Sequence, residues 1–183
     1  PMADCGKWRE AGADRYLLRF ETSDPELMRR LHPPRSDDLP GRPELLLQLR
    51  ELGFEIGGGI MVGLPGQTRT SVAADIELFR EMDLDMIGIG CFVPHPDTPL
   101  AREVDAWSGA GDAIPATAEQ TLKVLSLARI VRPDANIPSS QALATVAGEG
   151  HAAGLRCGAN VIMPNLTPGR YRAHYEIYPT HLR

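Results

Sequence analysis

The chain has 183 residues, enough for one domain with a real core, and a globular composition of 43% hydrophobic and 23% charged residues. Its net charge of −5 offers no basic field to nucleic acid or anionic lipid, and no window is apolar for long enough to span a bilayer. Neither nucleic acid nor membrane is therefore an expected partner. Three widely separated cysteines, Cys5, Cys91 and Cys157, make neither a disulfide framework nor a metal knuckle and fit a reducing, cytoplasmic setting. The chain begins with Pro and stops in Thr-His-Leu-Arg, and so reads as a piece of something longer.

Taken in order, Lys7 to Ala13 is the tail of a helix closed by Gly12. Arg15 to Phe20 is a strand ending in Glu21-Thr22-Ser23, and Asp24-Pro25 opens a helix over Glu26 to Leu31. After a Pro-rich loop, Arg42 to Leu52 forms an amphipathic helix stopped by Gly53. The strand Phe54 to Val62 then runs through three glycines into Gly63-Leu64-Pro65-Gly66, and Gln67-Thr68 opens a helix through Met82, with Asp75 and Glu77 biasing its start towards acid. The glycines have two readings: a tight strand-to-helix turn, or a ligand lying against bare backbone. No Lys-Ser/Thr follows the last of them, which excludes a phosphate loop.

Asp85 to Gly90 is a third strand, continued by Cys91 to Pro99. Residues 102–116 read as a flexible surface loop, and Thr117 caps a helix to Val131. Asn136 to Pro138 and Ala159 to Met163 are two further strands, with a small helical region between them. Thr167-Pro168 begins a last helix carrying Tyr171, Tyr175 and Tyr178.

Five strands separated by helical sequence imply a parallel sheet with right-handed crossovers. It could be an open doubly wound sheet or the last five-eighths of an eight-stranded barrel, and both gather working residues at the carboxyl ends of strands. Those ends carry Arg19, Glu21, Met61, Cys91, Ser140, Gln141, Met163 and Asn165. Arg19 and Glu21, two apart on one strand, should face the same side. They read either as a structural ion pair or as recognition of a zwitterion or ribose, with Arg42 as a second cation or a solvated charge. His95, His151, His174 and His181 have no ligand spacing.

Several tracts together resemble a known family: Arg15 to Thr22, Met61 to Thr68, Asp85 to Gly90, Pro94 to Leu100, Pro133 to Pro138 and Gly158 to Asn165. They are similar to the radical SAM maturases of iron-iron hydrogenases, the HydE family, with biotin synthase and methylornithine synthase as relatives. The resemblance implies the carboxyl-terminal part, about five βα units, of a (β/α)8 barrel. It implies S-adenosylmethionine and a 4Fe-4S cluster as cofactors, and a 5′-deoxyadenosyl radical acting on a small iron-containing precursor of the hydrogenase H-cluster. By position, Arg19, Glu21, Arg42 and Tyr175 would hold S-adenosylmethionine, with Arg42 on its carboxylate. Met86, Cys91, Ser140, Gln141 and Met163 would line the substrate cavity.

Phe20 stands where the family has His, and Cys91 where Pro is usual. The Cys-x3-Cys-x2-Cys loop that binds the cluster does not occur in these 183 residues. The chain by itself is thus expected to be inactive, with the missing amino-terminal half of the barrel and other hydrogenase maturation proteins as its partners. The alternatives are another enzyme of the biotin-synthase group and a non-catalytic half-barrel that only binds.

Overall fold

The computed structural model describes residues 2–32, 40–102, 104, 111–175 and 178. The elements run α1 (Met2–Glu10), β1 (Arg15–Leu17), α2 (Pro25–Leu31), α3 (Arg42–Glu51), β2 (Glu55–Val62), α4 (Arg69–Glu81) and β3 (Met86–Cys91). They continue as α5 (Ala118–Val131), β4 (Pro138–Ser139), α6 (Gln141–Val146), α7 (Gly150–Arg156) and β5 (Val161–Ile162). A short 3₁₀ turn at Pro99–Arg102 and a longer one at Gly169–Tyr175 complete the described elements.

Local chemistry sets most boundaries. The Asp24 carboxylate accepts from the Glu26 and Leu27 amides at 2.9 and 3.1 Å, with Pro25 in the first turn of α2. Thr68 and Ser71 form a reciprocal capping box at the start of α4, each hydroxyl 3.0 Å from the other's amide. The Thr117 hydroxyl caps α5 by accepting from the Gln120 amide at 3.2 Å. The last helix differs from expectation, being 3₁₀ and not α. Gly169, Arg170, Tyr171, Arg172 and His174 are exposed, and among these described side chains no buried face selects the longer ladder.

All strand pairings are parallel and follow chain order. β1 pairs with β2 and β2 with β3, a Met86–Asn136 bridge joins β3 to the β4 segment, and β4 pairs with β5. A doubly wound sheet would reverse its order at a switch point, whereas a barrel wall does not. The order β1-β2-β3-β4-β5 is thus that of a partial barrel.

One face of β2 and β3 supplies the core. Ile56, Ile60, Ile87 and Ile89 pack with Val72, Ile76 and Phe79 of α4 and with Val124, Leu125 and Ala128 of α5. The alternate face of the same strands carries Gly57, Gly59, Met86, Gly88 and Gly90. A Cβ at Gly59 would lie 2.2 Å from the Gly88 carbonyl oxygen, so no side chain fits there.

The stretch 102–116 is described only in part. Residues 103 and 105–110 lie outside the described residues, but its second half is docked and not a free loop. Ala113 bridges Thr68, Ile114 is buried, and the Ile114 amide donates to the Gln67 carbonyl at 3.1 Å. Ala116 occupies the space where a side chain on Gly63 would stand, and Gly63 has φ +87°. Here the glycine serves a close backbone approach.

The sheet ends in open edges at β1 and β5. Leu17 is 50%, Ile162 47% and Met163 59% exposed at or just beyond those edges. Unpaired strand edges beside apolar side chains drive association. Residues 1–183 expressed alone should therefore elute as oligomers in size-exclusion chromatography with light scattering. A monodisperse, cooperatively folding monomer would contradict this.

Candidate functional site

The carboxyl end of β1 is irregular. Leu17 pairs with Gly57, yet Glu21 pairs with Ile60, so β1 spends four residues where β2 spends three. The extra residue is a bulge, and Glu21 emerges from it with φ +66°. A non-glycine residue at positive φ is uncommon and concentrates at functional positions. The expectation that Arg19 and Glu21 share a face by simple alternation is thus replaced by a bulge that brings them together.

Arg19 crosses the glycine-bearing face of β3. A Cβ built at Gly88 or Gly90 would lie 3.6 to 3.8 Å from the Arg19 side chain, so that row of glycines is the trough it runs in. Its Nη2 donates to the Ile60 carbonyl and stands 3.1 Å from Glu21 Oε2. That ion pair is poorly aligned as a hydrogen bond, and Arg19 Nε and Glu21 Oε2 are buried without a hydrogen-bond partner among the described residues. Burial pushes the Glu21 carboxyl up, while the Arg19 and Arg42 guanidinium groups pull it down. Arg42 is neither a free solvated charge nor remote, since its Nη1 donates to the Arg19 carbonyl at 2.7 Å.

Other sequence-derived residues fall around this pair unevenly. Met86 lies on the glycine-bearing face, its Cε 3.0 Å from where a Gly57 side chain would begin. Ser140 caps α6 by accepting from the Leu143 amide, and Gln141 opens that helix in an exposed position. The first turn of α6 comes close to Gly90 through Ala142. Met163 is largely exposed beyond β5. Tyr175 ends the 3₁₀ helix, and its side chain lies outside the described residues.

Cys91 is buried on the other face of β3. Strand alternation puts it with Ile87 and Ile89, on the face opposite Gly88 and Gly90, where it is buried near Thr121 of α5. Burial pushes its thiol up, and Thr121 pulls it back. It packs against a helix and does not line the Arg19 trough.

Three residues near the rim were not read from the sequence as part of a site. Burial pushes the Tyr178 phenol up, the Arg19 charge pulls it down and Cys91 raises it, which places Tyr178 within electrostatic reach of Arg19. Gln67 is fully buried: its Oε1 accepts from the Gly63 and Leu64 amides at 2.7 and 3.2 Å, and its Nε2 donates to the Met61 carbonyl at 3.0 Å. Asp75 is buried beside it and accepts from the Ser23 amide. Asp75 is therefore not the acid at the helix start that its sequence position suggested. Val72, Ile76 and Phe79 flank it on the buried stripe of α4, and a carboxylate on that stripe was the readable signal.

No family model matches the chain. It is 52% identical over 173 residues to the [FeFe] hydrogenase maturase subunit HydE of Thermotoga maritima, across 94% of this chain and 46% of HydE. It is 30% identical over 156 residues to the 3-methylornithine synthase of Methanosarcina acetivorans, across 85% of this chain and 40% of that protein. Among solved structures, methylornithine synthase (PylB) superposes with a TM-score of 0.73 at 29% identity, over 92% of this chain and 46% of that one. HydG, a maturase of the [FeFe]-hydrogenase, superposes at 0.67 with 14% identity, over 87% of this chain and 34% of that one, and shares the fold alone.

Fold and sequence define the class: the chain is part of a barrel of the radical SAM superfamily. Within that class its sequence is similar to HydE at 52% identity, as the tracts around His95 and Asn165 implied. The chain spans less than half the length of the curated relatives it matches.

Burial pushes the Asp75 carboxyl up to about 6, and the Asp24 charge adds to the rise, against hydrogen bonds from Ser23 and Gln67. A folded-state value above the ordinary one means that stability is fully present below about pH 4 and is lost as pH rises through 6, by roughly 3 kcal/mol. Asp75→Asn should remove that component. Urea denaturation of both proteins at pH 4 and pH 7 reads it: the wild type should lose stability relative to the variant at the higher pH.

Proposed function

We propose that this chain is the carboxyl-terminal wall of a radical SAM maturase of the HydE type, serving maturation of the [FeFe]-hydrogenase H-cluster. The observation that carries the reading is the Arg19–Glu21 pair: opposite charges at a strand's carboxyl end, held by a bulge beside bare glycine backbone, each with a buried polar atom left unpartnered. A carboxylate able to accept from ribose hydroxyls and a guanidinium able to clamp a carboxylate fit S-adenosylmethionine. The likeness to HydE, 52% over nearly the whole chain, supports the same reading.

In this proposal Glu21 accepts from the ribose, and Arg42, oriented by its bond to the Arg19 carbonyl, meets the carboxylate of the amino-acid moiety. Tyr175 closes over the same ligand. When bound, S-adenosylmethionine supplies the 5′-deoxyadenosyl radical on which this class depends. Met86 and Met163, with Ser140 and Gln141 across from them, border the chamber for a small iron-containing precursor. Thioethers are soft and inert in acid–base chemistry, which suits a chamber that must not quench a reactive intermediate. A 4Fe-4S cluster needs thiolate ligands, and among the described residues no three of His, Cys, Asp or Glu group to hold a metal ion. The cluster's ligands, and the strands that complete the barrel, are proposed to come from the other half of the barrel. A cytoplasmic site of action and contacts with other maturation proteins belong to the same proposal; no described helix is long and apolar enough to cross a membrane.

Glu21→Gln separates binding from folding. Gln removes a carboxylate that burial disfavours, so thermal stability should be unchanged or higher. Calorimetric titration of the full-length protein with S-adenosylmethionine should nevertheless show affinity weaker by about 1.5–3 kcal/mol, the range for a lost hydrogen bond to a charged group. Unchanged affinity would remove Glu21 from the site.

A further inference from the structure

Beyond Glu21 the parallel ladder between β1 and β2 stops in an unusual way. Glu21 makes a normal rung, its amide donating to the Gly59 carbonyl at 2.9 Å and its carbonyl accepting from the Met61 amide at 3.1 Å. In a parallel pair the next rung would join the Ser23 amide to the Met61 carbonyl, and the Gly63 amide to the Ser23 carbonyl. Two buried side chains stand in its place. The Ser23 amide donates to Asp75 Oδ1 at 2.5 Å, the Met61 carbonyl accepts from Gln67 Nε2 at 3.0 Å, and the Gly63 amide donates to Gln67 Oε1 at 2.7 Å. A 3.5 Å contact between Gln67 Nε2 and Asp75 Oδ2 closes the span. Asp75 and Gln67 are both fully buried.

We propose that Asp75 and Gln67 are positioning residues that act as an inserted rung, wedging the carboxyl ends of β1 and β2 apart and holding Glu21 in its positive-φ conformation for cofactor binding. The inference rests on the reading that Glu21 contacts S-adenosylmethionine. Its physical basis is that a residue at φ +66° relaxes unless its surroundings over-determine it. Glu21 is fixed on both sides: by Arg42 on the Arg19 carbonyl before it, and by Asp75 on the Ser23 amide after it. The amphipathic pattern of α4 would accept an apolar residue at position 75, and a carboxylate there costs stability at neutral pH. It is retained because it accepts a backbone N–H that the splayed strand can no longer satisfy.

The test is S-adenosylmethionine affinity, measured by calorimetry in the full-length protein for five variants. Asp75→Val removes the acceptor for Ser23 and should weaken binding at least about tenfold, as a small misplacement of a binding group does. Asp75→Asn keeps an oxygen for the Ser23 amide and should restore affinity close to wild type. Val72→Ala opens a cavity one turn earlier on α4 without touching the rung, so at a matched loss of melting temperature its affinity should not fall. Should Asp75→Val fail to fold, Gln67→Leu severs the rung on the β2 side and is read in its stead. Wild-type affinity in Asp75→Val, or an equal loss in Val72→Ala, would overturn the proposal. Glu21→Gln tells the two levels apart: full affinity there overturns the rim reading itself, whereas loss there with none in Asp75→Val overturns the inserted rung alone.

Discussion

The structure depends on the close approach of β2 and β3 across a face made mostly of glycines. Gly59 stands against the Gly88 carbonyl with no room for a methyl group, and Gly88 and Gly90 leave open the path that Arg19 follows. A methyl group at Gly88 or Gly90 would just touch the Arg19 side chain at 3.6 to 3.8 Å, so a side chain longer than alanine's on that row would compete with the guanidinium for its path. The same strands bury isoleucines on their other face against α4 and α5, so the sheet is held from one side and left available from the other. That division gives the fold its stability and leaves the glycine-bearing face to Arg19 and Met86.

Charge is admitted to the rim under tight local control. Arg19 and Glu21 are each partly desolvated, which would be costly for either alone. Their proximity offsets part of the cost, and Arg42 contributes a second positive charge from the start of α3. A different logic governs the opposite end of the sheet. There Arg50 bonds Asp83 and Asp85 and the Ile56 amide donates to Asp85, while Arg132 pairs with Asp83. That network ties strands to helices, with Arg50 donating to the Asp83 carbonyl and Arg132 to the Leu84 carbonyl, although Arg50 Nε and Arg132 Nε are themselves buried without a partner among the described residues.

Much of this was legible from residue order. Asp24-Pro25, Thr68 and Thr117 announce their helices because capping is a local reaction between a side chain and the next two or three amides. Alternating strand and helix sequence announces parallel pairing, and the tracts around Pro94 and Asn165 announce the family. Sequence alone also brings Arg19, Glu21 and Arg42 together as candidates, since each stands at a strand end or helix start on the working rim.

Only the tertiary structure decided between a doubly wound sheet and a partial barrel, because strand order is a relation among elements far apart in the chain. Only it moved Cys91 to the helix-facing side, since a strand's phase is anchored by its neighbours and not by its own composition. The bulge before Glu21 was invisible for the same reason: one extra residue is defined against β2, and nothing within Arg15 to Thr22 counts the partner's residues. Asp75 and Gln67 show the limit most clearly. By sequence they are a polar residue in a helix and another at its entrance; their role exists only where the Ser23 amide and the Met61 carbonyl, 38 residues apart in the chain, stop pairing with each other.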